Sequence, residues 1–252
     1  MSEFVKTELT NGILLVTLNR PEKKNALTQP MYAVMANAIE RAQTDTEVKV
    51  VVYTGVGDMF TAGNDLDDFE VSSDGELTPV ARFLANMAGT DVPLIAAVNG
   101  AAIGVGTTML LHFDQNFASP NASFAMPFIN LGLVPEAGSS KLLVAQCGYQ
   151  NAAKLLMLGE RFSAAEAKDY GIVNSISDDV LTQAMVYAAK LAAKPKKALR
   201  ATKRLMRRDA EPLAETMKQE VILFGEGLES PEFSEAVAAF AEKRPVNFSQ
   251  FD

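Results

Sequence analysis

Residues 92–111, VPLIAAVNGAAIGVGTTMLL, decide how the rest of the chain is read. Leu94 to Val98 is an apolar run of strand length, Asn99-Gly100 a tight turn, and Gly104-Val105-Gly106 the opening of a second apolar segment. Strand, glycine-rich turn and helix together aim backbone N–H groups and a positive helix end at an anion. Two other readings compete, a membrane span and a buried strand–turn–helix with no function, because the stretch carries no charge. Pro93, Asn99, Gly100, Gly104 and Gly106 interrupt it and acidic sequence flanks it, which argues against a span.

Working outward, Val48 to Thr54 is a β-branched run that reads as a strand buried on both faces. It feeds residues 58–66, DMFTAGNDL. Phe60-Thr61-Ala62-Gly63-Asn64-Asp65-Leu66 followed by Val98-Asn99-Gly100-Ala101-Ala102-Ile103-Gly104-Val105-Gly106 resembles the crotonase superfamily, the enoyl-CoA hydratase/isomerase family. The resemblance runs from about residue 5 to 248 and is closest to the branch that isomerises Δ3-enoyl-CoA to Δ2-enoyl-CoA. It implies an α/β fold: a crotonase β/β/α spiral core over 1–177 and a C-terminal helical trimerisation region over 178–252. It implies an acyl-CoA thioester substrate, with coenzyme A as part of that substrate and no separate cofactor or metal. It also implies an oxyanion hole formed by the backbone N–H groups of Ala62 and Val105, with Asn64, Asp65 and Leu66 beside the substrate.

Composition narrows the alternatives. Net charge is −8, which argues against broad nucleic-acid binding. Cys147 is the single cysteine and His112 the single histidine, so a disulfide, a cysteine cluster or a multi-histidine site is hard to build. His112 lies among Leu110, Leu111 and Phe113 and reads as a core or helix-end histidine. Neither MSEFVKTELT nor SQFD carries a targeting signal, so a cytoplasmic protein is expected.

Residues 3–9 and 12–18 alternate around Asn11-Gly12, a hairpin signal. The loop 19–28, NRPEKKNALT, precedes a helix over 29–43 with Thr28 as its N-cap. On its own this is a solvated, charged loop. The family resemblance makes Lys24, Ala26 and Leu27 CoA contacts, with Lys23 and Lys24 toward phosphates. Residues 67–76 read as an acidic, mobile surface segment and 77–89 as an amphipathic helix. Strands are expected at 114–118, 123–125 and 171–176, and helices at 149–158 and 163–168, the latter opened by a Ser163–Glu166 capping box. Four helices are expected over 179–193, 196–208, 212–227 and 231–243. The basic cluster 194–208 reads as one helix's polar face rather than an anion site. Phe240 and Lys243 match family positions that approach the CoA. The apolar C-terminal helices predict a homotrimer or dimer of trimers.

The chemistry turns on carboxylates. A hydratase of this family uses two glutamates, and the matching positions here hold Thr108 and Phe128. Neither side chain does acid–base work near neutral pH. Glu136, in LGLVPEAGSS, matches the single glutamate of the isomerase branch, with Phe128, Leu133 and Val134 expected to dry the acyl pocket and raise its pKa. Three alternatives stay open: a dehalogenase-type nucleophile near this position, a thioester hydrolase, and a CoA-binding relative without activity.

Overall fold

The computed structural model describes residues 3–68, 78–206 and 210–251. Its frame is one six-stranded and one four-stranded sheet, which the chain visits in alternation. Strands β1 (Val5–Thr10) and β2 (Ile13–Leu18) pair antiparallel around Asn11-Gly12, as the turn chemistry predicts. Helix α1 (Gln29–Thr44) leads to β3 (Val50–Gly55), parallel to β2 and buried from Val50 to Thr54. Thr28 occupies the N-cap position of α1, but its side chain caps nothing. The Gln29 N–H donates instead to Asp68 Oδ2 at 2.5 Å, across the chain.

From β3 a unit repeats: one strand in the large sheet, one in the small, then a helix. The units are β3, β4 (Met59–Thr61) and α2 (Pro79–Gly89); β5 (Leu94–Val98), β6 (Ala101–Ile103) and α3 (Val105–Thr108); β7 (Gln115–Ala118), β8 (Ser123–Ala125) and α4 (Ser139–Cys147). Helix α5 (Tyr149–Leu158), β9 (Phe162–Ser163), α6 (Ala164–Asp169) and β10 (Ser175–Ile176) complete the two sheets. The capping box forms: Ser163 Oγ accepts from the Glu166 N–H and Glu166 Oε2 from the Ser163 N–H. The strand expected over 171–176 is only β10, paired with Phe117 and Ala118.

Residues 92–111 do not make a span, and no helix among the described residues is long and apolar enough to cross a membrane. The helix expected after Gly104 is also shorter than its apolar run. It gives way to a 3-10 turn, Met109–His112. Thr107 Oγ1 donates to the carbonyls of Ala102 and Ala125, at 2.6 and 3.1 Å, and ties the segment to the small sheet. The acidic stretch 67–76 lies outside the described residues from residue 69 on, as do residues 207 and 208 of the second C-terminal helix.

Four more helices follow: α7 (Val180–Ala192), α8 (Lys196–Met206), α9 (Ala210–Leu228) and α10 (Pro231–Glu242). Val180, Ala184, Ala188 and Ala192 of α7 cover one face of the large sheet against Val50, Val52, Ile95 and Phe117. Their small side chains let the helix lie close. The bases of α8 serve the fold. Lys196 donates to the carbonyls of Asp45 and Thr46, and Arg200 to those of Ala42 and Gln43, where α1 ends with unpaired acceptors. Lys203 is buried, donates to the Val92 carbonyl and pairs with Asp114, each at 2.6 Å. Lys203→Met takes the cation from the partly exposed Asp114, which keeps the Leu94 N–H at 2.8 Å, and should cost roughly 2–3 kcal/mol, read as a lower urea midpoint at unchanged slope.

Candidate active site

Parallel pairing of β4 with β6 sets Met59 against Ala101 and Thr61 against Ala102, so the turns leaving the two strands adjoin. Contact is tight: a Cβ built on Gly63 would lie 2.8 Å from the Ile103 carbonyl oxygen. The loop 19–28 is laid along the first of these turns. The Leu27 N–H donates to the Gly63 carbonyl at 2.8 Å, and the Leu27 carbonyl accepts from the Asp65 N–H at 2.9 Å.

This geometry corrects one expected donor. The Ala62 N–H donates to the Lys24 carbonyl at 3.0 Å and is not free for a substrate. In the parallel bridge between Leu27 and Asn64 the first loop bonds to the Gly63 carbonyl and the Asp65 amide, so the Asn64 amide between them faces away from it. Among the described residues the N–H groups of Asn64 and Val105 have no acceptor. Asn64 and Val105 are therefore a pair of free amides, one on each of the adjoining turns. The F-x-A-G-x-D-L spelling identified the loop, but only the strand register tells which of its amides is spent.

Other expected contacts take more definite roles. The Leu27 side chain is in the core, so this residue offers only backbone to a ligand. Asp65 is engaged by Arg20 at 2.5 Å. Burial alone would raise its carboxyl, but Arg20 and the Asp67 amide outweigh that and hold it below the usual range. Asp65 thus braces the loop. Lys24 is exposed, Ala26 and Leu66 half-buried. Phe240 is 74% exposed and Lys243 is exposed, on a helix packed against α9 and the 3-10 turn Pro127–Leu131. Among the described residues, neither side chain bonds to the 19–28 or 62–66 loops.

Glu136 is buried, not solvent-facing. Thr108 Oγ1 donates to its Oε1 at 2.7 Å, so the threonine standing at a hydratase glutamate position supports the remaining carboxylate. Phe128 and Leu133 are buried, Phe128 edge-on to Phe224 of α9 with ring centroids 6.4 Å apart. Burial pushes the Glu136 carboxyl up to about 7; the Thr108 hydroxyl opposes this and the charge of Glu220 adds to it. His112 is a core residue whose Nε2 meets the Ala137 carbonyl at 2.7 Å.

Two residues of the site carried no sequence signal. Tyr32 of α1, fully buried, donates from its hydroxyl to Asn64 Oδ1. Its phenol is raised well above the ordinary value, first by burial and then by the charge of Glu136. Tyr32 thus bonds the Asn64 side chain and also feels the charge of Glu136. Glu220 of α9 is the second. Both sit in amphipathic helices, where nothing in the spacing separates them from core or surface positions.

Residues 8–251 match the family model described as enoyl-CoA hydratase/isomerase. This chain belongs to the enoyl-CoA hydratase/isomerase family. Its fold is the crotonase fold, with the helical C-terminal region present. It is 36% identical over 253 residues to the 2,3-dehydroadipyl-CoA hydratase of Escherichia coli K12, covering 98% of this chain and 99% of that one. It is 34% identical over 244 residues to the rat enoyl-CoA delta isomerase 2, covering 93% of this chain and 62% of that longer protein. The crystal structure of an enoyl-CoA hydratase/isomerase from Pseudoalteromonas atlantica T6c superposes with a TM-score of 0.93 at 42% identity, over 98% of this chain and all of that one. Family members bearing hydratase names and isomerase names are thus similarly close, and the side chains around the amide pair must discriminate between them.

Proposed function

We propose that this protein isomerises a 3-enoyl-CoA to the trans-2-enoyl-CoA, with Glu136 as its one acid–base group. The observation that carries this reading is the buried Glu136 carboxyl, shifted to about 7 and hydrogen-bonded by Thr108, in a site where Thr108 and Phe128 replace the hydratase pair. The thioester carbonyl accepts from the N–H groups of Asn64 and Val105. Glu136 removes a proton from carbon 2, and the electron pair delocalises onto the carbonyl oxygen as a dienolate. The two amides stabilise that charge more than they stabilise the neutral thioester. The protonated Glu136 then delivers its proton to carbon 4, and the double bond forms between carbons 2 and 3. One carboxyl suffices because it is base first and acid second.

The base must be ionised to begin, so kcat should rise from acid pH to a plateau, half-complete near the Glu136 value of about 7. A stopped-flow or coupled assay between pH 5.5 and 9 checks this. The deciding experiment for the reaction is incubation with a panel of 2-enoyl, 3-enoyl and aroyl CoA thioesters. Isomerisation with little hydration supports the proposal. Brisk hydration replaces it, and inertness toward all of them favours a CoA-binding relative.

In this reading coenzyme A lies along the 19–28 loop, with Lys24 near its phosphates. Lys24→Glu should weaken CoA affinity about two- to fivefold at low salt, with the loss shrinking as salt rises. Equilibrium titration checks it, and an unchanged affinity removes Lys24 from the site. Residues 178–252 are taken as the assembly region of a trimer or dimer of trimers. Val221, Ile222, Leu223 and Phe240 are large, apolar and more than half exposed in the single chain. A neighbouring copy would bring Phe240 and Lys243 to the CoA. Light scattering tests the assembly, and a monomer at micromolar concentration overturns it.

A further inference from the structure

Glu136 stands on a turn that contains two successive left-handed residues, Ala137 (φ 59°) and Gly138 (φ 68°). Left-handed alanine crowds its Cβ against the backbone and persists only where the surroundings hold it. Buried side chains from distant parts of the chain do so. The Ala137 carbonyl can only accept, so His112 Nε2–H donates to it, at 2.7 Å. Glu220, 6% exposed on α9, accepts from the Gly138 N–H at 2.5 Å, the Ser140 N–H at 3.1 Å and the Ser140 hydroxyl at 2.5 Å. Helix α9 also fills the space beside Gly138, where a Cβ would lie 2.4 Å from Leu213 Cδ1.

A carboxylate facing amides at a helix start is an ordinary cap, and α4 begins at Ser139. Glu220 differs from an ordinary cap in bonding the turn two residues on from a second buried carboxyl, that of Glu136, whose rise its charge adds to. We propose that Glu220 is a positioning residue for Glu136: it fixes the turn that carries the base and supplies the negative charge the base faces. This rests on Glu136 being the base. Three donors converge on Glu220, whereas one hydroxyl reaches Glu136. Burial raises the Glu220 carboxyl as well, but its three donors oppose that rise, so of the pair Glu220 holds its charge more readily and Glu136 takes up a proton more readily. The groups facing Glu136 are Thr108 from α3, Tyr32 from α1 and Glu220 from α9, with His112 meeting the turn through Ala137. Among the described residues Glu220 is the only carboxylate of this group.

The test is Glu220→Gln in the full chain, which keeps the shape and removes the charge. Its first measurement needs no substrate: a ¹³C-carboxyl NMR titration of Glu136, assigned by the signal lost in Glu136→Gln. The Glu136 midpoint should fall by about 0.5–1 unit, because a like charge that opposed ionisation is gone. In isomerisation, kcat should fall about tenfold with KM nearly unchanged, and the acid limb should move to lower pH. A merely structural cap would lower thermal stability and leave the midpoint in place. A midpoint within about 0.2 unit of wild type overturns the proposal. Should Glu220→Gln fail to fold, Ser140→Ala removes one donor and weakens the hold on the Glu220 charge. It should move the midpoint down by a smaller amount, and an unmoved or raised midpoint overturns the proposal. If the wild type does not isomerise 3-enoyl-CoA but its Glu136 midpoint still follows Glu220, the reaction assignment fails and the positioning role stands. If it isomerises and the midpoint ignores Glu220, the positioning role alone fails.

Discussion

Glu136→Gln should turn over 3-enoyl-CoA about 10²- to 10⁴-fold more slowly than the wild type, with CoA-thioester affinity nearly unchanged. The amide is close in shape to the carboxylic acid and can still accept the 2.7 Å hydrogen bond from Thr108. What it loses is the lone pair that takes the carbon-2 proton and the proton that returns to carbon 4. Binding survives because the Asn64 and Val105 amides and the CoA loop are untouched. Steady-state kinetics on a short 3-enoyl-CoA, paired with calorimetric titration of the 2-enoyl product, separates the two effects. Hydration of a 2-enoyl-CoA that persists at wild-type speed in this variant would show that the chemistry runs elsewhere.

The second large effect is expected at Gly106. A Cβ there would lie 2.4 Å from Thr61 Cγ2, while its next neighbours stand at 3.4 and 3.7 Å. Thr61 cannot swing aside, because its hydroxyl donates to the Asn25 carbonyl at 2.7 Å and accepts from the Gly63 N–H at 3.1 Å. Gly106→Ala must therefore push the second turn away from the first, and with it the Val105 amide from the Asn64 amide. Displacing one donor of an oxyanion pair typically costs about 10²- to 10³-fold in kcat. Thr61→Ser in the Gly106→Ala background removes the clashing methyl and keeps both hydroxyl bonds. The double variant should recover most of the activity. A single Gly106→Ala variant with wild-type kcat would remove this amide pair from the mechanism.

Much of this molecule was legible along the chain. The Asn11-Gly12 hairpin, the buried strand at Val50–Thr54, helix α5 and the Ser163–Glu166 capping box are local. Each follows from propensity, period or turn chemistry within a few residues. The two motifs that carry the family resemblance are local as well, and they were enough to expect the spiral and the thioester. Glu136 was singled out by its motif and by the missing carboxylates at Thr108 and Phe128.

Tertiary structure decided what depends on pairing between distant segments. Thr28 did not cap α1, because Asp68 supplied a charged acceptor from across the chain. Ala62 gave way to Asn64, because the Lys24 carbonyl lies opposite the Ala62 amide, a fact of register that no spacing rule encodes. The bases of α8 were committed to the end of α1 and to Asp91 and Asp114, surfaces that meet only in the fold. Tyr32 and Glu220 reached the site from helices far away in sequence, where an amphipathic period reports which face is buried but not what it is buried against. A sequence specifies its strands, turns and caps through short-range sterics and hydrogen bonding. Which buried carboxyl keeps its charge, and which amide stays free, is set by donors that only packing brings within 3 Å.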